Sequence, residues 1–152
     1  MERYFTAMIG ILLAGSACGG DSSALSGRAT ETYDVSYDRI VIERQIKNGE
    51  TQAVVISYVR DPGGSNEQSP VIVVVNAPLE VGMDIDFRPP RGDLHRAVAD
   101  GSDFPSLDVA KVRFDALGEV GGTASGKFNT TFTDGETLNG EFSGTVTERS
   151  AN

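Results

Sequence analysis

The chain has 152 residues, with 13 Lys and Arg against 22 Asp and Glu, so its formal net charge is −9. An acid excess of this size without a basic stripe repels phosphate backbones and excludes nucleic acid as a partner. A single cysteine and a single histidine exclude an internal disulfide, a multi-histidine metal site and a histidine-based acid–base pair.

Residues 1–17 carry the three parts of a secretory signal. Arg3 and the α-amino group make a positive start beside Glu2. Tyr4 to Ala14 is an uncharged apolar run, and Gly15, Ser16 and Ala17 are small enough to enter a peptidase groove. The run is shorter than the roughly 20 residues that a membrane span needs, which makes it a signal core. The next residue is Cys18, the only cysteine. It has no partner within the chain, and a lone exposed thiol is a liability in an oxidising compartment. A thioether to lipid removes that liability.

Ser16-Ala17-Cys18 resembles the lipobox of bacterial lipoproteins, with Gly15 where that family prefers an aliphatic residue. The resemblance implies a mature chain that begins at a lipidated Cys18, has membrane lipid as its partner and belongs to the bacterial cell envelope. Gly19 stands where an inner-membrane retention signal would place Asp, which favours the outer membrane. The alternative is an ordinary signal peptide cut at the same bond, because Gly15 and Ala17 also satisfy a small-x-small rule. Residues 18–31, rich in Gly and Ser, are expected to form a flexible tether, and residues 32–149 the folded domain.

The domain reads as strand almost throughout. Seven runs alternate apolar and polar residues and are separated by turn chemistry. Tyr33 to Ile46 and Thr51 to Arg60 form a first pair across Asn48-Gly49, whose residues tolerate positive φ in a tight hairpin. After an open loop at residues 61–67, Val71 to Asn76 is apolar on both faces and is expected to be covered on both sides. Val81 to Phe87 is a fourth strand, ended by Pro89-Pro90. Arg91 to Pro105 reads as a short helix or lid loop that Asp93 could cap. Leu107 to Leu117 is strand again, with a phase change that places a bulge near Ala110.

The last two strands repeat one unit. Gly126-Lys127-Phe128 returns as Gly140-Glu141-Phe142, with the even positions Ala124, Gly126, Phe128, Phe132, Leu138, Gly140, Phe142, Gly144 and Val146 apolar or glycine and the odd positions polar. Keeping all even residues on one face of an antiparallel pair requires an odd number of loop residues. The parity selects Thr133-Asp134-Gly135, with Gly135 in the left-handed position, and excludes a two-residue turn. That register sets Phe128 opposite Gly140 and Gly126 opposite Phe142, each ring lying over a glycine. The fold class expected is all-β, an antiparallel two-layer sandwich of about seven strands and immunoglobulin-like size, with a small β-barrel as the alternative.

Candidate functional residues are few. Asp84 and Asp86 share one strand face and are the candidate metal ligands, though their spacing matches no established calcium loop. Arg91-Gly92-Asp93 spells the tripeptide of integrin ligands and is the candidate binding motif, and Asn129-Thr130-Thr131 is a glycosylation sequon inside a strand. His95 is expected to be a solvated loop histidine. No cofactor is expected. Two functions are consistent with this inventory. One is a non-catalytic envelope module that binds a protein or glycan or has a structural role. The other is a carboxylate-dependent, glycosidase-like hydrolase using two of Asp84, Asp86, Asp93, Asp100 and Asp103, which would have to flank a cleft.

Overall fold

The computed structural model describes residues 24–150. In chain order the elements are β1 (Leu25–Ser26), α1 (Ala29–Thr32), β2 (Arg39–Lys47), β3 (Glu50–Arg60), β4 (Gln68–Asn76), β5 (Asp84–Asp86), β6 (Gly92–Ala97), β7 (Leu107–Leu117), β8 (Thr123–Phe132) and β9 (Thr137–Ser150). The body is therefore all-β, as the alternation requires. The strands form one curled sheet in the order β5-β7-β8-β9-β2-β3-β4-β6, with β1 added beside β9.

β9 joins the two arms of the sheet. Its first part pairs antiparallel with β8, from Thr137 to Thr145, and its last part pairs with β2, where Val146 lies beside Ile42. The β2–β9 pair is parallel, whereas sequence periodicity led to an antiparallel expectation throughout. Alternation specifies which residues point inward but not the direction of a distant neighbour. Both arms turn their apolar faces onto one core. Ile56, Tyr58 and Val73 from one arm join Phe114, Phe128 and Phe142 from the other. Tyr58 meets Phe128 edge-on with ring centroids 6.2 Å apart, and Phe114 meets Phe142 at 5.6 Å. Each buried aromatic or large aliphatic side chain contributes about 1.5–3 kcal/mol.

Turn chemistry is realised as its residues dictate. Asn48 and Gly49 have φ of 55° and 80° and connect Lys47 to Glu50. In the last hairpin Gly135 has φ +87°, its N–H donates to the Phe132 carbonyl (2.9 Å), and the Phe132 N–H donates to the Glu136 carbonyl (2.9 Å). The loop thus has the three residues that parity demands, and Phe128 faces Gly140 while Gly126 faces Phe142. A Cβ on Gly140 would lie 2.6 Å from Phe128 Cζ, and one on Gly126 would lie 2.7 Å from Phe142 Cζ, so both glycines make room for a ring.

Several expectations are corrected. The first strand begins at Arg39, not Tyr33, and only Asp84–Asp86 of the Val81–Phe87 run is strand. The strand covered on both faces is β3, where residues 53–59 are all buried; in β4 the outward residues Ile72 and Val74 are half-buried. The register of β7 shifts between Leu107 and Val109 and again between Phe114 and Ala116, on either side of the bulge expected near Ala110. Arg91 to Pro105 contains no helix. Gly92–Ala97 is β6, paired with β4, and Asp93 lies within that strand.

Residues 24–31, which were placed in a tether, pack onto the domain. Leu25 and Ala29 are buried in the core, with Leu25 lying beside Gly140. Small and polar composition hid this packing, because two apolar side chains separated by four residues are too few to make a periodicity. Among the described residues the one charged side chain that is buried is Arg44, which lies in the inward phase of β2 between Ile42 and Ile46. Its guanidinium donates to the carbonyls of Gly118 (3.0 Å) and Leu117 (3.4 Å) and to Thr51 Oγ1 (2.8 Å). Those bonds offset its desolvation and fasten the β7–β8 turn to β2.

Candidate functional site

The residues singled out from sequence fall at two places. Asp84 and Asp86 form the exposed face of β5, at the sheet edge beside β7, where they lie opposite Arg113 and Lys111. Arg88 closes on Asp86 in a two-pronged ion pair, with Nε 3.0 Å from Oδ1 and Nη2 2.6 Å from Oδ2. This hydrogen-bonded pairing lowers the Asp86 pKa. A carboxylate so occupied is a poor hard-metal ligand. Among the described residues no group of three or more His, Cys, Asp or Glu side chains could hold a metal ion.

Arg91-Gly92-Asp93 is not displayed at a loop tip. Gly92 is the first residue of β6 and is buried, in contact range of the carbonyl of Phe87, so its lack of a side chain answers to packing. Asp93 lies opposite Val74 and approaches His95 Nδ1 to 3.6 Å on the same strand. Arg91 reaches back to the Pro78 carbonyl (3.3 Å). His95 belongs to a strand and is half-buried, in place of the solvated loop position expected. Between Arg88, Arg91, Pro89, Pro90 and Leu107 there is a shallow recess of about 400 Å³.

The remaining carboxylates of the hydrolase reading are also engaged. Asp100 accepts from the Ser102 N–H (2.8 Å) and hydroxyl (2.6 Å), which lowers its pKa. Asp103 accepts from the Arg96 N–H (2.9 Å) and the Phe104 N–H (2.8 Å). A general acid at neutral pH needs a carboxyl group whose pKa is raised. The pKa values of Asp86 and Asp100 move in the opposite direction. Cys18 lies outside the described residues.

The second place is one that sequence reasoning missed. On the outer face of β8 and β9 there is a groove of about 520 Å³, lined by Ala24, Ile40, Asp115, Lys127, Glu141 and Ser143 among others. A smaller recess of about 310 Å³ adjoins it and shares Ala24, Lys127 and Glu141. The groove follows from how β9 is partnered on the side away from β8. β1 pairs only with Asn139 and Gly140, and β2 begins to pair at Val146. Between them the Glu141 N–H donates to the Ala24 carbonyl (2.9 Å), and the Tyr58 hydroxyl donates to the Glu141 carbonyl (2.6 Å).

Two cross-strand rows border this groove on the exposed surface. Asp84, Arg113, Lys127 and Glu141 lie side by side across β5, β7, β8 and β9, and Asp86, Lys111, Asn129 and Asn139 form the next row. The polar odd positions of the C-terminal repeat were the available signal for this face. The gap between β1 and β2 was not readable, because both strands come from distant sequence. No family model, no curated protein and no solved structure matches the chain.

Proposed function

We propose that this protein is a membrane-anchored lipoprotein of the bacterial cell envelope, held by lipid on Cys18, whose β-domain serves as a non-catalytic binding or structural module. The observation that carries this reading is the apolar leader that ends in small residues at the only cysteine. The state of the carboxylates supports a non-catalytic role. Asp86 and Asp93 stand beside cations or a histidine, and Asp100 and Asp103 accept local hydrogen bonds. Placement in the outer membrane, with a protein or glycan partner in the envelope, belongs to the same reading.

Two or three acyl chains, each contributing about 0.8 kcal/mol per buried methylene, would make attachment effectively permanent. The test is a mass spectrum of the N-terminal peptide of the protein isolated from its native membrane. The expected result is a peptide beginning at Cys18 with diacylglyceryl mass. An unmodified Cys18 thiol, or a chain that still retains residues 1–17, would overturn the reading.

A further inference from the structure

We infer that Asn48 is a covalent modification site: in the folded protein its side chain cyclises onto the Gly49 nitrogen and then hydrolyses to isoaspartate and aspartate. Four dipeptides of the sequence place Asn or Asp before glycine, namely Asn48-Gly49, Asp100-Gly101, Asp134-Gly135 and Asn139-Gly140. Glycine is the least hindered residue for this cyclisation, because it has no side chain beside the attacking nitrogen and leaves the backbone free to turn. Sequence alone ranks the two Asn-Gly pairs equally, and the structure separates them.

At three of the four dipeptides the reacting groups are held. Asp100 Oδ1 accepts from the Ser102 N–H (2.8 Å), and the Gly101 N–H donates to the Val98 carbonyl (3.0 Å). Asp134 Oδ1 accepts from the Glu136 N–H (2.9 Å), and the Gly135 N–H donates to the Phe132 carbonyl (2.9 Å). Asn139 Oδ1 accepts from Asn129 Nδ2 (3.0 Å), and Asn139 and Gly140 are paired on both sides, with β8 and with β1. Asn48-Gly49 lies exposed at the tip of the β2–β3 hairpin, at φ of 55° and 80°. Among the described residues no hydrogen bond engages the Asn48 side chain or the Gly49 N–H. A Cβ on Gly49 would meet nothing within 4 Å, so the turn has room to rotate until Asn48 Cγ meets the nitrogen. The electrophile is also an amide, which a nucleophile attacks more readily than an ionised carboxylate.

The step balances with water as the only co-reactant. The Gly49 nitrogen gives up its proton and bonds to Asn48 Cγ, the Cγ–Nδ2 bond breaks, and ammonia leaves with that proton. Water then opens the five-membered imide. Attack at Cγ breaks the new bond and yields aspartate, whereas attack at the Asn48 main-chain carbonyl carbon breaks the original peptide bond and yields isoaspartate. Either product makes the net charge of −9 one unit more negative. Isoaspartate also routes the main chain through Cβ and Cγ, which lengthens the two-residue turn that sets Lys47 opposite Glu50.

The experiment incubates the full-length protein in warm, mildly alkaline buffer and follows it by peptide mapping in a mass spectrometer. Isoaspartate is counted by methyl transfer from S-adenosylmethionine with an isoaspartyl methyltransferase. Asn48-Gly49-Glu50 and Asn139-Gly140-Glu141 are the same tripeptide, so the chain carries its own control. In native protein the Asn48 peptide should exchange its amide for a carboxylate many times faster than the Asn139 peptide. In urea the two should convert at similar rates. Asn48→Gly, which keeps a residue able to adopt positive φ, should abolish most of the methyl label. Equal native rates at the two sites, a difference that persists in urea, or a label that survives Asn48→Gly would overturn the assignment.

Discussion

Tyr58 shows how one side chain can serve the core and the ladder together. Its ring is fully buried, and its hydroxyl donates to the Glu141 carbonyl where β9 lacks a strand neighbour. Burial raises its pKa, and the nearby Tyr37 and Glu141 raise it further, because a phenolate there would be desolvated. A folded-state pKa above the unfolded value of about 10 means that the stabilisation is complete below that pH and is lost as pH rises beyond it. Tyr58→Phe should therefore flatten the alkaline limb of a urea stability profile. Near neutrality it should cost about 1–3 kcal/mol, because the Glu141 carbonyl is left without its donor.

Asp34 has the opposite sign. The Ser36 hydroxyl, then Arg60, then the Ser36 backbone N–H hold its carboxylate, and its pKa is about 2. That contribution is present above the unfolded value of about 3.9 and disappears as pH falls toward 2. Asp34→Asn should remove part of the acid-induced loss of stability over that window. Urea midpoints at successive pH values would measure it, and an unchanged slope would show that the shift has no thermodynamic weight.

Among the elements, the C-terminal hairpin is the one that local rules specify most fully. Its register follows from parity, and its glycines follow from the rings that cover them. Gly140→Ala should force the Phe128 ring out of its position, since the added carbon would lie 2.6 Å from Cζ and 2.9 Å from Leu25 Cδ2. Overpacking of this kind costs about 1–3 kcal/mol, read as a lower urea midpoint with an unchanged slope. Gly135→Ala meets no atom within 4 Å, so its cost would be conformational only, from a positive φ of 87°.

β6 illustrates the opposite situation. Gly92, Leu94 and Arg96 take the inward phase and Asp93, His95 and Ala97 the outward one, yet the mixture of Arg, His and Asp looked like a loop or helix start. Arg96 is accommodated because its guanidinium lies 5.1 Å from the Tyr33 ring and 5.5 Å from the Phe104 ring and donates to Ser102 Oγ (2.6 Å). None of those partners is adjacent in sequence. The inward phase of this half-buried arginine was therefore unreadable from sequence. The Asp103 carboxylate also caps the Arg96 N–H on this edge strand, occupying a donor that another chain could otherwise pair with.

For the molecule as a whole, the decisive contact is the return of residues 24–32 onto the last hairpin. Leu25 is 4% exposed and Ala29 fully buried, while Thr32 Oγ1 donates to Glu136 Oε1 (2.6 Å). Leu25→Ala should cost about 2–5 kcal/mol, the range for truncating a packed core leucine. A cost near zero in chemical denaturation would return this segment to the role of a loose tether.

The all-β class, the two hairpin turns and the dry and wet faces of the C-terminal repeat were legible from the amino acids alone. They rest on side-chain alternation and on the φ that Asn48, Gly49 and Gly135 can adopt, which are properties of neighbouring residues. The parallel seam of β2 with β9, the strand status of β6, the burial of Leu25 and Arg44 and the groove at Ala24 were decided by tertiary structure. Each depends on groups far apart in the chain meeting across the core, and no local pattern records which distant strand will be the neighbour.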